Sequence, residues 1–373
     1  MIVGVPREVM DSEFRVAISP AGVRELTNGG HRVLVEHAAG EGSSIPDDHF
    51  VATGATIVPD AAEIWSASDM VLKVKEPAPE EYPFLGARRG QVLFTYLHLA
   101  ASRSCTEALL AAGNTAIAYE TVRTADGSLP LLTPMSEVAG RMAPLVGAHH
   151  LMRPGGGRGV LVSGIPGVRS ARIVILGGGV AGMAAATLAV GMHAEVFVLD
   201  RNLERLRQLD HHFRGALETI ASSSHAIEET CLGADIVIGA VLLVGAKAPT
   251  LVSDELVEAM IPGSVLVDLS VDQGGCFESS RPTTHSHPIF EAHGSIFYCV
   301  ANMPGAVPHS STHALVNATL PYVSEIATLG WKEAARVDAA LAEGVNISDG
   351  AVVYEPVAAA HGMKAALLAD VLL

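Results

Sequence analysis

The sequence predicts an α/β protein made of two doubly wound parallel-sheet domains with an active-site cleft between them. Its 373 residues exceed the size of one ordinary core, so two domains of roughly 150 to 200 residues each are expected. Short apolar runs alternate with amphipathic stretches in both halves of the chain, as in β-α units whose strands are buried on both faces. Hydrophobic residues make up 49% of the chain and charged residues 17%, which excludes general disorder.

The first half of the chain alternates predicted strands and helices. The predicted strands are Ile2 to Val5, Val33 to Val35, Met70 to Val74, Val92 to Leu97 and Ala116 to Ala118. A helix is predicted over 20–28, because Ser19 is a suitable N-cap and Pro20 fits the first helical position. The pair Gly29-Gly30 ends this helix. A second helix is predicted over about 103–112.

The second half repeats this alternation up to Pro308. The predicted strands are Arg172 to Leu176, Glu195 to Leu199, Asp235 to Val241, Val265 to Leu269 and Ile296 to Val300. The predicted helices lie near 180–191, 202–212 and 253–260. Beyond Pro308 the pattern becomes helical, with Leu320 and Val323 at helical spacing, and no further sheet is expected there.

The net charge and the cysteines exclude several classes of protein. A formal net charge of −16 would repel nucleic-acid phosphates and an anionic membrane surface, so neither is an expected partner. The four cysteines, far apart and without a C-x-x-C pair, argue against a disulfide framework and a zinc site and favour the cytoplasm. The N-terminus lacks a basic region followed by a long apolar run, so no secretory signal is predicted.

The stretch from Ile173 to Ala194 contains no Asp, Glu, Lys or Arg and is long enough to span a bilayer. Three consecutive glycines, Gly177 to Gly179, lie within it at the point where a strand should turn into a helix. A buried strand, a turn and a buried helix therefore explain this stretch better than a membrane span.

The glycines of this stretch form a dinucleotide-binding motif. Gly177, Gly179 and Gly182 satisfy G-x-G-x-x-G directly after a predicted strand and before a predicted helix. The first glycine permits a tight turn, the second lets the backbone approach a pyrophosphate, and the third allows the helix to pack on the strand. An isolated glycine motif also occurs in purely structural turns. Here strand, motif and helix occur together, so a Rossmann-like nucleotide site is predicted.

An acidic residue ends the next strand, as this kind of site requires. Asp200 lies eighteen residues after Gly182, where its carboxylate can accept hydrogen bonds from the ribose hydroxyls of the adenosine. The same charge would repel a 2′-phosphate, so NAD is favoured over NADP. The adjacent Arg201 would weaken that preference.

Four polar side chains follow predicted strands, at the edge where open α/β sheets bind ligands. They are Arg15, Lys75, His98 and Asp272. Guanidinium and ammonium groups suit a small carboxylate substrate, while an imidazole and a carboxylate can move protons at neutral pH. The plainer interpretations are surface charges for the two cations, a satisfied core residue for His98 and a structural carboxylate for Asp272.

Position alone does not separate these interpretations. Lys73 lies on the same strand face as Lys75 and has the same charge. The histidine pairs His149-His150, His211-His212 and His285-x-His287 suggest a metal site, but pairs without partner ligands are typical of exposed loops and helix faces. No metal is therefore assigned.

Six motifs in order resemble the alanine dehydrogenase family. They are E-F-R-V-A-I-S-P, L-K-V-K-E-P, L-H-L-A, P-M-S-E-V-A-G, D-Q-G-G-C-F-E and V-A-N-M-P, within residues 13 to 304. The resemblance implies oxidation of L-alanine by NAD to pyruvate and ammonium. It implies that Arg15 and Lys75 hold the substrate carboxylate and carbonyl oxygen. It also implies that His98 and Asp272 are the general acid and base of the reaction, and it leaves open which of the two activates the water.

The resemblance implies further contacts and an organisation of the chain. The implied cofactor contacts are Ser136, Gly177, Gly178, Gly179, Val180, Gly182, Asp200, Arg205, Ser222, Val241, Leu242, Leu269, Asp272, Arg281, Val300, Asn302 and Met303. Residues 1–130 plus 309–373 would form a discontinuous substrate domain around an NAD-binding domain of residues 131–308. The family is commonly hexameric, so a homo-oligomer is expected. Some relatives have a metal near the C-terminal helices, but Leu329 follows Glu325 where a ligand would be needed.

Two other functions fit part of the pattern. The nucleotide-binding subunit of a proton-translocating transhydrogenase resembles the same family but passes hydride to another nucleotide, and the presence of all four polar residues argues against it. A non-catalytic NAD-binding sensor needs only the glycine motif and leaves the four polar residues unexplained.

Overall fold

The computed structural model describes residues 1–241 and 248–373. The chain divides into two compact units: unit 1 contains Met1–Met135 and Gly305–Leu373, and unit 2 contains Ser136–Pro304. The assignment of residues 1–130 with 309–373 to substrate binding, and of 131–308 to NAD binding, stays a prediction.

Strands and helices alternate along most of the described chain. The strands are β1 (Ile2–Val5), β2 (Arg32–Glu36), β3 (Thr56–Val58), β4 (Met70–Leu72), β5 (Val92–Thr95), β6 (Thr115–Ala118), β7 (Arg172–Leu176), β8 (Glu195–Asp200), β9 (Glu218–Ala221), β10 (Ile236–Gly239), β11 (Val265–Asp268), β12 (Ile289–Ala292), β13 (Ser295–Tyr298), β14 (Val345–Ser348) and β15 (Ala351–Val352). The helices are α1 (Pro20–Asn28), α2 (Asp47–Val51), α3 (Ala61–Ala67), α4 (Arg103–Ala112), α5 (Thr133–Leu151), α6 (Val180–Gly191), α7 (Leu203–Phe213), α8 (Ser224–Cys231), α9 (Asp254–Ala259), α10 (Pro308–Leu329), α11 (Trp331–Val337), α12 (Ala339–Gly344), α13 (Glu355–His361) and α14 (Leu368–Leu372). The strands and helices predicted individually above are confirmed, with ends that differ by at most two residues.

Unit 1 is built on a sheet with the strand order β15-β14-β6-β5-β4-β1-β2-β3. All neighbours from β6 to β3 are parallel, which confirms the doubly wound arrangement. Because the chain winds outward in both directions from β1 and β4, the loops that follow these strands diverge and leave a crevice at the carboxyl edge. Every residue of β4, β5 and β6 is buried, which explains their nearly continuous apolar sequences.

Unit 2 is built on a second sheet with the order β12-β13-β11-β10-β7-β8-β9. Its strands are parallel except for β12, which pairs antiparallel with β13 at one edge. The switch point lies between β7 and β10, so the turn after β7 faces the crevice where nucleotides bind in such sheets.

The segment beyond Pro308 is not only helical, which corrects the expectation from its sequence pattern. Helices α10 to α14 occupy most of it, but β14 pairs antiparallel with β6 and β15 pairs with β14. Asp349 and Gly350 join the two strands with φ angles of 49° and 74°, as in a tight hairpin turn. Strands of four and two residues are too short for their alternation to be recognised in the sequence.

The uncharged stretch from Ile173 to Ala194 divides into β7, the glycine turn and α6. In the part of the chain that the structure describes, no helix is both long enough and apolar enough to cross a membrane.

Candidate active site

The glycine turn of unit 2 has the backbone that its sequence predicts. Gly177 has a φ of 104°, and a Cβ added there would lie 2.5 Å from the carbonyl oxygen of Ala240. A Cβ on Gly182 would lie 1.8 Å from the carbonyl oxygen of Gly177, so the start of α6 packs too closely for any side chain. By contrast, nothing lies within 4 Å of a Cβ placed on Gly179. The turn therefore combines two tightly packed glycines with one open position, which fits the approach of a pyrophosphate.

Two charged side chains, Asp200 and Arg205, form hydrogen bonds with the backbone of Gly178, the middle glycine of the run. The Oδ2 atom of Asp200 accepts a hydrogen bond of 2.7 Å from the Gly178 amide, and its Oδ1 accepts one of 2.7 Å from the Asn202 amide. Arg205 donates from Nε to the Gly178 carbonyl and from Nη2 to the Gly179 carbonyl. Asp200 and Arg205, both predicted to contact the cofactor, therefore also hold the backbone of the turn in place.

Several other predicted cofactor residues lie at the carboxyl edge of the second sheet. Val241 is the second residue after β10. Its amide donates to the Ser270 Oγ at 3.2 Å, and the Ser270 hydroxyl donates to the Val241 carbonyl at 2.6 Å. The amide of Ser222, just past β9, donates to the Asp200 carbonyl at 2.9 Å. Leu269 follows β11 and is half-buried. Leu242 lies outside the described residues.

The remaining predicted cofactor residues lie in the loops around β13 and in α5. Val300 and Met303 are buried, whereas Ser136 is half-buried in α5. Asn302 has a left-handed φ of 66°, and His285 donates from Nε2 to its carbonyl oxygen at 3.1 Å. One of the histidines considered as a metal ligand therefore supports this loop.

Arg281 is exposed, and its guanidinium carbon lies 4.2 Å from the ring centroid of Phe290. The paired histidines bring no metal cluster together: within residues 1–241 and 248–373 no three His, Cys, Asp or Glu side chains are grouped to hold a metal ion.

Asp272 and the nearby Asp268 have opposite environments in unit 2. Asp272 is exposed on a short turn after β11, and no hydrogen bond or ion pair joins its carboxylate to another described residue. Asp268 is only 2% exposed and accepts hydrogen bonds from the amides of Ser270 at 2.8 Å and Cys276 at 2.9 Å. Burial raises the pKa of Asp268, and these hydrogen bonds act in the opposite direction. Asp268 was missed in the sequence, although a carboxylate that ends a buried strand is a visible signal.

Arg15 is buried in unit 1 and already holds a carboxylate. Its Nε lies 2.7 Å from Oε1 of Glu13, and its Nη2 lies 2.5 Å from Oε2. Its third nitrogen, Nη1, lies 3.0 Å from the sulfur of Met135. Burial opposes the charge, but the pairing with Glu13 outweighs it and raises the pKa of Arg15. Arg15 is therefore a charged, rigidly oriented donor and not a mobile surface cation.

The two neighbouring lysines differ completely in their surroundings. Lys73 is fully buried, with its ammonium 3.0 Å from Glu8 and 2.9 Å from Glu81. Burial disfavours the charge, but the two carboxylates outweigh it and raise the pKa of Lys73. The Lys75 side chain is 15% exposed and its ammonium lies 3.7 Å from Glu76. Lys73 is a structural ion-pair residue, whereas Lys75 reaches the surface at the carboxyl edge of the sheet.

His98 lies in a turn just past β5, with a left-handed backbone of φ 48° and ψ 34°. Its imidazole stacks on the ring of Tyr96, with 6.1 Å between the centroids. Burial raises the pKa of Tyr96, and the charge of Arg15 acts against this rise. Thr95, the last residue of β5, donates from Oγ1 to the Lys75 carbonyl at 3.0 Å. The carboxyl edge of the first sheet thus gathers three of the four polar residues, while Asp272 belongs to unit 2.

Comparison with known proteins agrees with this architecture. The family models described as alanine dehydrogenase/PNT match residues 4–139 with the N-terminal domain and residues 143–355 with the C-terminal domain. The alanine dehydrogenase of Mycobacterium tuberculosis is 58% identical over 97% of this chain and 97% of its own length. A solved L-alanine dehydrogenase has a TM-score of 0.93 at 49% identity, covering 97% of this chain and 99% of its own.

A second solved structure is similar in fold but more distant in sequence. The transhydrogenase from Sinorhizobium meliloti has a TM-score of 0.80 at 25% identity and covers 95% of this chain and 99% of its own. The two domain models match in order, and the M. tuberculosis alanine dehydrogenase is more than twice as similar in sequence, at 58% identity, as the transhydrogenase, at 25%. This chain belongs to the alanine dehydrogenase/PNT family.

Proposed function

We propose that this protein is an NAD-dependent L-alanine dehydrogenase, which interconverts L-alanine with pyruvate and ammonium. The observation that carries the proposal is the polar edge of the first sheet, where Arg15, Lys75 and His98 lie on loops that follow parallel strands. A protein that only binds a nucleotide does not need this second set of side chains. Similarity over nearly the full chain to relatives named alanine dehydrogenase supports the same conclusion.

Arg15 and Lys75 would bind the small acid in different ways. Glu13 already balances the charge of Arg15, so we assign to its guanidinium the orientation of the carboxylate rather than long-range attraction. The ammonium of Lys75 has a longer contact with Glu76, 3.7 Å, and can take the carbonyl oxygen as a new partner. The neighbouring Lys73 cannot do so, because two buried carboxylates hold it.

His98 and Asp272 would carry the proton transfers. Water must lose a proton as it adds to the imine, and the departing ammonia must gain one. An imidazole can donate or accept a proton, and a carboxylate can act as a base or stabilise the positive charge that develops. We propose NAD as the cofactor, which accepts the hydride from the substrate carbon when bound. The open position at Gly179 and the carboxylate of Asp200 fit its adenosine and pyrophosphate.

The assay mixes the purified protein with NADH, pyruvate and ammonium and follows the absorbance of the reduced nicotinamide. An alanine dehydrogenase consumes NADH only when both other substrates are present. The structural similarity to a transhydrogenase makes a nucleotide-binding subunit of that enzyme the second candidate. Such a subunit, like a sensor that only binds NAD, would bind NADH and leave it unconsumed.

We further propose a homohexamer in the cytoplasm. The hexamer is an expectation from the family, and light scattering of the purified protein measures it directly. The cytoplasm suits the four cysteines, which are all buried thiols without a disulfide.

A further inference from the structure

We propose that Glu120 is a positioning residue of the reaction, acting through His98; this inference rests on the proposed function. The carboxylate of Glu120 accepts a hydrogen bond of 2.7 Å from the His98 amide. It also accepts from the Leu97 amide, which lies 3.2 Å from each of its oxygens. Its described hydrogen bonds are to the backbone and not to the imidazole, so it sets where the imidazole stands.

The backbone of His98 needs such support. A φ of 48° and a ψ of 34° lie in the left-handed region, which costs energy for a residue with a Cβ and persists where surrounding contacts impose it. In this turn the amides of Leu97 and His98 point toward one place, where two donors require an acceptor. The carboxylate of Glu120 satisfies both.

The sheet explains why Glu120 reaches this turn. Strands β5 and β6 are parallel neighbours, with Thr95 opposite Ala118, so the loops that follow them leave the same edge. Glu120 comes two residues after β6 and His98 three residues after β5. The loop of Glu120 is held in turn by Asn346 of β14, which donates from Nδ2 to Thr121 Oγ1 at 2.7 Å.

A second contact fixes the far side of the same turn. His361 of α13 donates from Nε2 to the Leu99 carbonyl at 2.7 Å. Residues 97–99 are thus held through two amides on one side and a carbonyl on the other. The imidazole of His98 therefore projects from a braced turn, as a group that exchanges protons with a small substrate requires.

The test is a double-mutant cycle on turnover with saturating pyruvate, ammonium and NADH. Glu120→Ala should lower kcat by about tenfold to a hundredfold, the scale of a misplaced acid or base. In a His98→Ala background the same change should lower kcat no further, because its effect passes through the missing imidazole. Glu120→Gln keeps one acceptor oxygen and should lose less. Glu343→Ala, which removes an exposed carboxylate paired with Arg123, is the matched control and should leave kcat unchanged.

The proposal is wrong if the two losses of kcat multiply in the double variant, because Glu120 would then act independently of His98. It is also wrong if Glu120→Ala lowers only the melting temperature and leaves kcat normal. NMR tests positioning without activity: the imidazole signals of His98, assigned by their loss in His98→Ala, should shift in Glu120→Gln and stay unchanged in Glu343→Ala. Unchanged signals in Glu120→Gln would also refute it. A wild-type protein that leaves NADH unconsumed contradicts the proposed function instead, and the NMR comparison still decides the role of Glu120.

Discussion

The carboxylate of Asp200 is engaged with the backbone of the glycine turn. One oxygen holds the Gly178 amide and the other holds Asn202, so the residue that should select the cofactor also shapes its site. Removing the whole side chain would leave an amide without a partner, which costs about 1–3 kcal/mol where it is buried. Asp200→Asn removes only the charge, so it separates the selection of the cofactor from the support of the Gly178 amide.

Asp200→Asn should therefore narrow the preference for NAD over NADP while binding of NAD persists. The repulsion of a 2′-phosphate disappears, but an amide oxygen can still accept from Gly178. Asp200→Ala should weaken use of both cofactors. Steady-state kcat/KM with each cofactor measures this, with the exposed Asp210→Asn as a control. Equal use of NADP by the unmodified protein would contradict the proposed preference.

The same substitution at two neighbouring lysines should produce opposite results. Lys73→Met leaves the carboxylates of Glu8 and Glu81 buried without their cation, which should cost about 3–5 kcal/mol of unfolding free energy. Lys75→Met should leave stability nearly unchanged and raise the KM for pyruvate. Denaturant unfolding and steady-state kinetics measure the two effects. A stable Lys73→Met protein with impaired use of pyruvate would reverse the assignment.

Asp272 and Asp268 provide a second matched pair. Asp272→Asn should reduce turnover by about a hundredfold, because basicity and charge are lost at an exposed side chain with no described partner. Its melting temperature and NADH affinity should hardly change. Asp268→Asn should destabilise unit 2, since it removes an acceptor from a buried set of donors. Turnover of Asp272→Asn within about threefold of the parent would remove Asp272 from the mechanism.

The candidate polar residues were predicted because they follow strands in the sequence. This criterion does not show which of Lys73 and Lys75 is a structural residue and which can bind a substrate. What distinguishes them is burial beside Glu8 and Glu81, which come from elements other than β4. Glu120 was missed for the same reason, since its role depends on strands β5 and β6 lying side by side. Contacts between distant segments are absent from local sequence pattern.

Individual elements were predictable where several local signals agreed. Helix α1 has its N-cap at Ser19, whose Oγ accepts from the Gly22 amide at 3.3 Å, and Pro20 at its first position. Strand β9, in contrast, has no buried residue, and α5 contains Pro144 and therefore lacks an uninterrupted helical pattern. Both were missed because neither has the local hydrophobic pattern from which strands and helices are predicted.

The hairpin of β14 and β15 depends on its turn. Gly350→Ala should lower the unfolding free energy by about 1 kcal/mol, because a Cβ disfavours its φ of 74°. Gly191→Ala, at the last residue of α6 where nothing lies within 4 Å of an added Cβ, should be neutral or stabilising by at most about 0.5–1 kcal/mol. Denaturant unfolding of both variants checks the difference. A Gly350→Ala protein as stable as the parent would show that the turn adapts without cost.

Hydrogen bonds between the two segments of unit 1, residues 1–135 and 305–373, hold that unit together. Thr312 of α10 accepts from the Val16 amide at 3.1 Å and lies 2.8 Å from the Ser43 hydroxyl. His361 contacts the turn after His98, and Asn346 contacts the turn of Glu120. The candidate substrate site is therefore supported by residues more than two hundred positions further along the chain.

The position of β14 also determines the order in which the sheets can be completed during synthesis. The ribosome releases all of unit 2 before it releases Val345–Ser348, the strand that covers one side of β6. Until then β6, whose residues are all buried in the finished sheet, presents an unpaired apolar edge of the kind to which other chains add strands. By that time all strands of unit 2 have been synthesised, but the sheet of unit 1 still lacks β14. Aggregation through the open edge of β6 competes with folding until β14 has been synthesised and pairs with it.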